Sequence, residues 1–217
     1  SSENVINSIK DRIHKTFNFG KIEFHSFSIL SYVVLRDIFV EENDFLFLDI
    51  SGEQSEILII KKDIVVDTIS FPLGRNFLIR KVSDALGNAP PNVALSSLNL
   101  YFENKCEPKI SEKIKKALEE AKKDWLDLFY DALTNFSEEI FIPRTVFMAV
   151  DDDSSLAFSE FVKEGDFSKF TLTPEPFNLT LLNHQKIENL CTFGQKVESD
   201  SFIAIESIFF NNISKTN

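Results

Sequence analysis

Apolar positions along the chain change their spacing several times, and each change predicts a different element. Spacing by three and four predicts helices over residues 3–17 and 28–39, and residues 21–27 between them are typical of a short strand. Three β-rich runs then follow in quick succession, the last two joined by a tight connection. These runs cover 45–50, 55–61 and 64–72, and together they predict an antiparallel meander.

The second half of the chain alternates between helical and strand patterns. Helical spacing resumes after "FPLG" and ends at Gly87, and a mainly helical stretch covers residues 88–140. Helices that alternate with strands after a meander predict an α/β fold with a mixed sheet. The remaining predicted elements are strands at 145–150 and 167–172 and helices near 154–163, 183–193 and 200–213.

Charge and composition narrow the classes of partner. The formal net charge of -11 argues against nucleic acid, because binding to a phosphate backbone draws on clustered lysine and arginine. Hydrophobic residues make up 43% of the chain and charged residues 26%, as in an ordinary globular protein of one domain, with or without a subdomain. No apolar run is long enough to span a bilayer, and the first ten residues lack the apolar stretch of a signal peptide.

Few groups in the sequence indicate a particular reaction. Cys106 and Cys191 lie far apart without a CxxC motif, which favours a reducing cytoplasm over a disulfide or zinc framework. The sequence has no nucleophile elbow, zinc-protease motif, Walker loop or dinucleotide-binding fingerprint. His14, His25 and His184 have no metal-ligand spacing, and we expect them to be structural.

The most informative stretch is "DISGEQSEILIIKKDIVVDTISFPLGRNFLIRKVSDALG", residues 49–87. A strand carries Asp49 to the start of a short polar turn, a second strand returns as a hairpin, and a Pro-Leu-Gly lead enters a helix. This order resembles the second phosphate-binding segment of the actin-like ATPases, the superfamily of actin, heat-shock chaperones and sugar kinases. Within that superfamily the stretch is especially similar to the bacterial cell-division protein FtsA and the type IV pilus assembly protein PilM.

Other segments extend the resemblance over most of the chain. "KIEFHSFSILSYVVL" is similar to the last strand of the family's first domain and the helix that joins its two domains. "RTVFMAVDDDSSLAFSEFVK" lies where the family has its adenosine motif, and "ESDSFIAIESIFF" resembles the closing helix. The resemblance implies an actin-like, ribonuclease H-like domain, with a mixed sheet of about five strands that starts with the meander and has helices on both faces.

A division of the chain also follows from the resemblance. It implies that residues 1–40 are the end of domain I and the connecting helix, and that most of domain I is missing from this chain. Subdomain IIA would cover 41–87 and 141–217, and a helical subdomain IIB would be inserted at 88–140.

A set of phosphate ligands is likewise implied by the resemblance. Glycines in such a turn let the backbone approach phosphate, and successive N–H groups bind its oxygens, while the aspartate orients water or a magnesium-bound water. The implied nucleotide would be ATP with Mg²⁺, and Asp49 would be the catalytic residue of an ATPase, acting on Mg²⁺ through water. The residues that would bind the nucleotide are Asp49, Ser51, Gly52, Gln54 and Ser55.

The chain departs from the family's pattern in both nucleotide segments. Ser51 and Glu53 stand where the family has glycine, and Glu56 where it has aspartate. A glutamate about 4 Å from phosphate would be repelled by roughly 4 kcal/mol at an effective dielectric constant near 20, unless it points away. Residues 151–153, three aspartates, replace the paired glycines of the adenosine motif. They predict a solvated acidic turn, with a divalent metal site as the alternative.

Three functions remain open on the sequence alone. The first is a degenerate nucleotide-binding domain that acts as a cytoplasmic scaffold, recruited to the inner face of the membrane by the cytoplasmic tail of a membrane protein, as in type IV pilus assembly, or assembling with itself. The second is an ATP-binding, polymerising cell-division ATPase that is active when joined to domain I. The third is an unrelated α/β protein-binding module, which a structure without a five-stranded sheet headed by the meander would favour.

Overall fold

A computed structural model describes residues 3–17, 22–136, 141–171, 173–182 and 200–216 of the chain. The strands are β1 (Phe45–Ile50), β2 (Ser55–Lys61), β3 (Ile64–Phe71), β4 (Thr145–Val150) and β5 (Asn178–Leu181). They form one five-stranded sheet in the order β3-β2-β1-β4-β5. β1 pairs antiparallel with β2 and parallel with β4, so the predicted mixed sheet and its leading meander are confirmed.

Helices of the described residues cover the sheet from both sides. They are α1 (Glu3–Phe17), α2 (Phe27–Ile38), α3 (Arg75–Ala85), α4 (Pro91–Phe102), α5 (Pro108–Asn135), α6 (Asp152–Glu164) and α7 (Ser201–Thr216). No helix in this part of the chain is long and apolar enough to cross a membrane.

The central strand β1 shows why both faces need helices. All six of its residues are buried, although successive side chains of a strand point to opposite faces. Phe45 and Phe47 pack into a cluster with α2 and α7, whereas Leu46 and Leu48 belong to a second cluster with α3, α4, α5 and α6. The arrangement is therefore a three-layer α/β/α fold, as predicted.

The hairpin between β2 and β3 has the backbone that its short connection requires. Lys62 and Asp63 both have positive φ angles, 49° and 57°, which match the twist of a two-residue hairpin turn. The Lys62 N–H donates to the Asp44 carboxylate at 2.7 Å, and the Tyr32 hydroxyl donates to the Asp63 carbonyl. These bonds fix the meander against the loop that precedes it.

The long helix α5 packs directly on the sheet layer. Trp125 is fully buried, stacks on Phe129 at 4.8 Å between ring centroids, and meets Phe71 of β3 edge-on. The helices α4 and α5 therefore share one hydrophobic cluster with the sheet. The assignment of residues 88–140 as an inserted subdomain IIB, and the division of the chain that goes with it, remains a proposal.

Two predicted strands differ from the structure, and one predicted helix lies outside the described residues. Residues 22–26 form no strand, because residues 23–26 are exposed and Ser26 caps α2 through a hydrogen bond from the Ile29 N–H. Residues 167–171 form a turn, in which the Phe170 N–H donates to the Phe167 carbonyl at 2.9 Å, and the fifth strand lies at 178–181 instead. The predicted helix at 183–193, with His184 and Cys191, lies outside the described residues.

Candidate functional site

The polar turn at 51–54 lies at one edge of the sheet, where two parallel strands end. β1 and β4 run side by side, and Asp49 of β1 is opposite Ala149 of β4. The three aspartates at 151–153 follow β4 immediately, so they reach the same edge as the turn. The carboxyl ends of neighbouring strands are where open α/β sheets bind their ligands. The two segments that resembled nucleotide-binding motifs are therefore adjacent in space.

The backbone of the turn is held by the first residues of α3. The Arg75 N–H donates to the Ser51 carbonyl at 2.8 Å, and the Asn76 N–H donates to the Gly52 carbonyl at 2.7 Å. Within the turn, the Ser51 N–H and hydroxyl both donate to the Gln54 carbonyl. The free N–H groups at a helix start commonly bind anions, but the turn itself uses these two.

Gly74 allows the turn and α3 to approach this closely. A Cβ atom at this position would lie 2.3 Å from the Ser51 carbonyl oxygen and 2.6 Å from the Gln54 nitrogen. Both neighbours are backbone atoms, so they cannot rotate away. The glycine of the Pro-Leu-Gly lead is thus required by packing against the turn.

Ser55 faces the interior of the protein. Its hydroxyl donates to the Leu73 carbonyl at 2.7 Å and accepts a hydrogen bond from Trp125 Nε1 at 3.1 Å. The residue is completely buried. The hydroxyl donates one hydrogen bond and accepts another within the protein, so the Ser55 side chain stabilises the core and does not point towards a ligand at the turn.

Asp49 has a buried carboxyl group with an unsatisfied oxygen. It is 8% exposed, and its Oδ1 has no hydrogen-bond partner among the described residues. Burial, with smaller contributions from the negative charges of Glu56 and Asp151, raises the pKa of Asp49 to about 7. Near neutral pH the carboxyl group is therefore partly protonated.

The glutamate of the turn points away from the sheet edge. Glu53 accepts hydrogen bonds from Arg80 at 3.1 to 3.2 Å and from Asn76 Nδ2 at 2.9 Å. These hydrogen bonds lower the pKa of Glu53. The carboxylate of Glu53, which we expected to repel phosphate, is therefore directed towards α3 and paired with Arg80.

An ion pair joins the two nucleotide-like segments. Arg75 Nε donates to Asp153 Oδ1 at 2.9 Å, and a second guanidinium nitrogen donates to Asp153 Oδ2. Asp151 Oδ2 also lies 3.0 Å from Arg75 Nε. Burial raises the pKa of Asp151, with smaller contributions from Asp153, Asp200 and Asp152, although Arg75 opposes the rise. The start of α3 is therefore linked to the start of α6 across the sheet edge.

No protein-family model and no curated protein matches the sequence, but solved structures match the fold. MreB 5 of Spiroplasma citri bound to AMPPNP aligns with 100% of this chain and 67% of its own, at 15% identity and a TM-score of 0.59. The MamK double helical filament aligns with 98% and 66%, at 12% identity and a TM-score of 0.58. The PilM-PilN type IV pilus biogenesis complex aligns with 88% and 53%, at 14% identity and a TM-score of 0.56.

The chain has the actin-like fold. At these identities the likeness shows the architecture and not the activity. The chain spans about half the length of the PilM chain and two thirds of the MreB chain. The five-stranded sheet headed by the meander also removes the main reason to consider an unrelated α/β module.

The residues at the carboxyl ends of β1 and β4 do not fit a nucleotide in the arrangement described. Arg75 is bound to two carboxylates, the Ser55 hydroxyl faces the core, and two N–H groups of α3 bind the turn. No group of three or more histidine, cysteine or acidic side chains within the described ranges could hold a metal ion. Asp151 and Asp152 of the acidic turn are exposed, as in the solvated turn predicted from sequence, and Asp151 and Asp153 also pair with Arg75.

The predicted ligand residues lie together, with Asp49, Ser51, Gly52 and Gln54 in or beside one turn of the actin-like fold. Their roles as ligands remain predictions. Sequence reasoning missed Arg75 and its link to residues 151–153 altogether. One signal was available, because a cation at the first position of a helix opposes the helix dipole unless an acid compensates it.

Proposed function

We propose that this chain is a degenerate actin-like domain that acts as a scaffold for a protein assembly and does not hydrolyse ATP by itself. One observation carries the proposal. Arg75, the cation at the junction of the two nucleotide-like segments, is bound by Asp151 and Asp153 of the second segment. A polyphosphate would have to displace both carboxylates before it could use this charge.

The remaining charges at the sheet edge support the same proposal. The negative charges of Glu56 and Asp151 contribute to the raised pKa of Asp49, and that of Asp200 contributes to the raised pKa of Asp151. Like charges about 4 Å apart repel by several kcal/mol at an effective dielectric constant near 20. A triphosphate brought to this edge would add to that repulsion, so we expect weak binding of ATP.

A protein partner is supported by the surface of α1. None of its described residues is buried, and Val5 and Ile9 are 51% and 40% exposed. A helix with an apolar stripe normally covers that stripe with another surface. The candidates for that surface are the other actin-like domain and a second copy of this chain.

The setting of the scaffold is proposed from the neighbouring structures. PilM is described in a complex with PilN in type IV pilus biogenesis, and MamK as a double helical filament. By analogy we propose a cytoplasmic location, and recruitment to the inner face of the membrane by the cytoplasmic tail of a membrane protein. Self-assembly through actin-like contacts is the second arrangement that these neighbours favour.

Titration with fluorescent ATP in the presence of magnesium tests the proposal. We expect affinity in the millimolar range or weaker, and no release of phosphate. Competition with unlabelled ATP separates binding at a site from adhesion of the dye. Micromolar binding with turnover would contradict the scaffold proposal and would favour a polymerising ATPase that is completed by domain I.

A further inference from the structure

Asp153 binds the guanidinium group of Arg75 in the geometry that an oxyanion ligand would adopt. Two of the guanidinium nitrogens donate to the two oxygens of Asp153, which makes a side-on, bidentate pair. The guanidinium group binds carboxylate and phosphate with the same planar fork. The side chain of Arg75 is 21% exposed, so the pair is partly withdrawn from solvent. Asp153 thus satisfies an arginine that could otherwise hold a phosphate oxygen.

Two further groups at this edge have their polar atoms unused. The Oδ1 atom of Asp49 is buried and has no hydrogen-bond partner among the described residues. The N–H groups of Gly52 and Glu53, at the tip of the turn, donate to no described carbonyl. Arg75 follows Gly74 in the chain, and Gly74 packs against this same turn. The edge therefore still presents backbone donors beside a cation that is already occupied.

We propose that Asp153 is an internal plug, which occupies Arg75 in place of a phosphate-bearing anion and so prevents polyphosphates from binding at the turn. This inference rests on the proposed function, because the plug would explain why the turn and Arg75 do not bind nucleotide. Asp151 supports the plug through its contact with Arg75 Nε. Once the Asp153 side chain no longer binds Arg75, the guanidinium group and the N–H groups at the tip of the turn form the surface that binds the polyphosphate.

Calorimetric titration with sodium tripolyphosphate tests the plug. The variant Asp153→Asn keeps the size and shape of the side chain, but it removes the charge that competes for Arg75. We expect it to bind tripolyphosphate about tenfold more tightly than the wild-type protein, as expected for one charge-assisted bidentate contact. Replacing Arg75 by alanine in the same variant should remove the gain.

Asp152→Asn is the matched control. Asp152 lies in the same turn of α6 and its loss changes the net charge equally, but Arg75 is paired with its two neighbours. This control should bind as weakly as the wild-type protein. Equal gains in Asp152→Asn and Asp153→Asn would overturn the plug, because they would show an effect of overall charge.

Nuclear magnetic resonance of the wild-type protein gives a test that needs no stable Asp153 variant. The Arg75 Nε–H signal, assigned by its loss in Arg75→Lys, should exchange slowly with water and should not move when tripolyphosphate is added. A wild-type signal that exchanges rapidly, or that moves at submillimolar tripolyphosphate, would overturn the plug. Tight binding of ATP by the wild-type protein would instead contradict the proposed function, so the two failures are distinguishable.

Discussion

At the scale of single residues, burial makes the ionised form of Asp49 unfavourable. Its ordinary pKa of 3.8 rises to about 7 in the folded protein, chiefly because of burial. The folded protein therefore holds a proton that the unfolded chain releases between these two values. As the pH rises from about 4 to about 7, this residue progressively lowers the free energy of unfolding, and above pH 7 the loss is constant.

The substitution Asp49→Asn should remove that loss. We expect the variant to be more stable than the wild-type protein by about 2 to 4 kcal/mol above pH 7, since each unit of pKa corresponds to about 1.4 kcal/mol. Near pH 4 the two proteins should be nearly equal. Urea denaturation at several pH values measures the difference, with the exposed Asp131→Asn as a control whose stability should parallel wild type. A variant that is less stable than wild type at pH 8 would contradict the argument.

The sequence predicted the residues of the turn but not their long-range side-chain partners. Asp49 and Gly52 could be found because a strand followed by a polar turn is a local pattern. The pairing of Arg75 with Asp153 could not, because it joins residues 78 positions apart through the packing of two helices. The direction of the Ser55 hydroxyl was equally hidden, since its partner Trp125 lies 70 positions away.

Among the elements, the junction between the turn and α3 depends most on one small residue. A Cβ at Gly74 would lie within 3 Å of three backbone atoms of the turn, whereas a Cβ at Gly52 would meet only the flexible side chain of Asn76, at 3.2 Å. We expect Gly74→Ala to lower the free energy of unfolding by about 1 to 3 kcal/mol, as for other overpacked sites. Gly52→Ala should cost clearly less, and urea denaturation compares them. Equal losses would show that steric contact at Gly74 is not the cause.

Elements with strong local patterns were predictable, and elements defined by their partners were not. The meander and the long helix α5 followed directly from the spacing of apolar residues. The true fifth strand has only four residues, none fully buried, and it is recognisable mainly by its pairing with β4. In the run 167–172 that was predicted as a strand, Phe167 and Phe170 instead lie in a turn and pack against aromatic residues of α5.

At the scale of the whole molecule, the helices differ sharply in what they bury. α2 and α7 cover one face of the sheet and α3 to α6 the other, and each contributes to one of the two hydrophobic clusters. No described residue of α1 is buried, although its apolar residues have the spacing of one helical stripe. The fold of the sheet layer therefore does not explain the sequence of α1, whereas binding to another protein surface would.

Substitutions in two helices separate these roles. Ile9→Asp in α1 should change the free energy of unfolding by less than about 0.5 kcal/mol, because Ile9 is 40% exposed. Leu35→Asp in α2 should unfold the domain or destabilise it severely, because Leu35 is 1% exposed and its site would bury an unpaired charge. Urea denaturation measures both. Hydrophobic-interaction chromatography should show weaker retention of Ile9→Asp than of wild type if the stripe is available to a partner. A large loss of stability in Ile9→Asp would instead place the stripe within the fold of this chain.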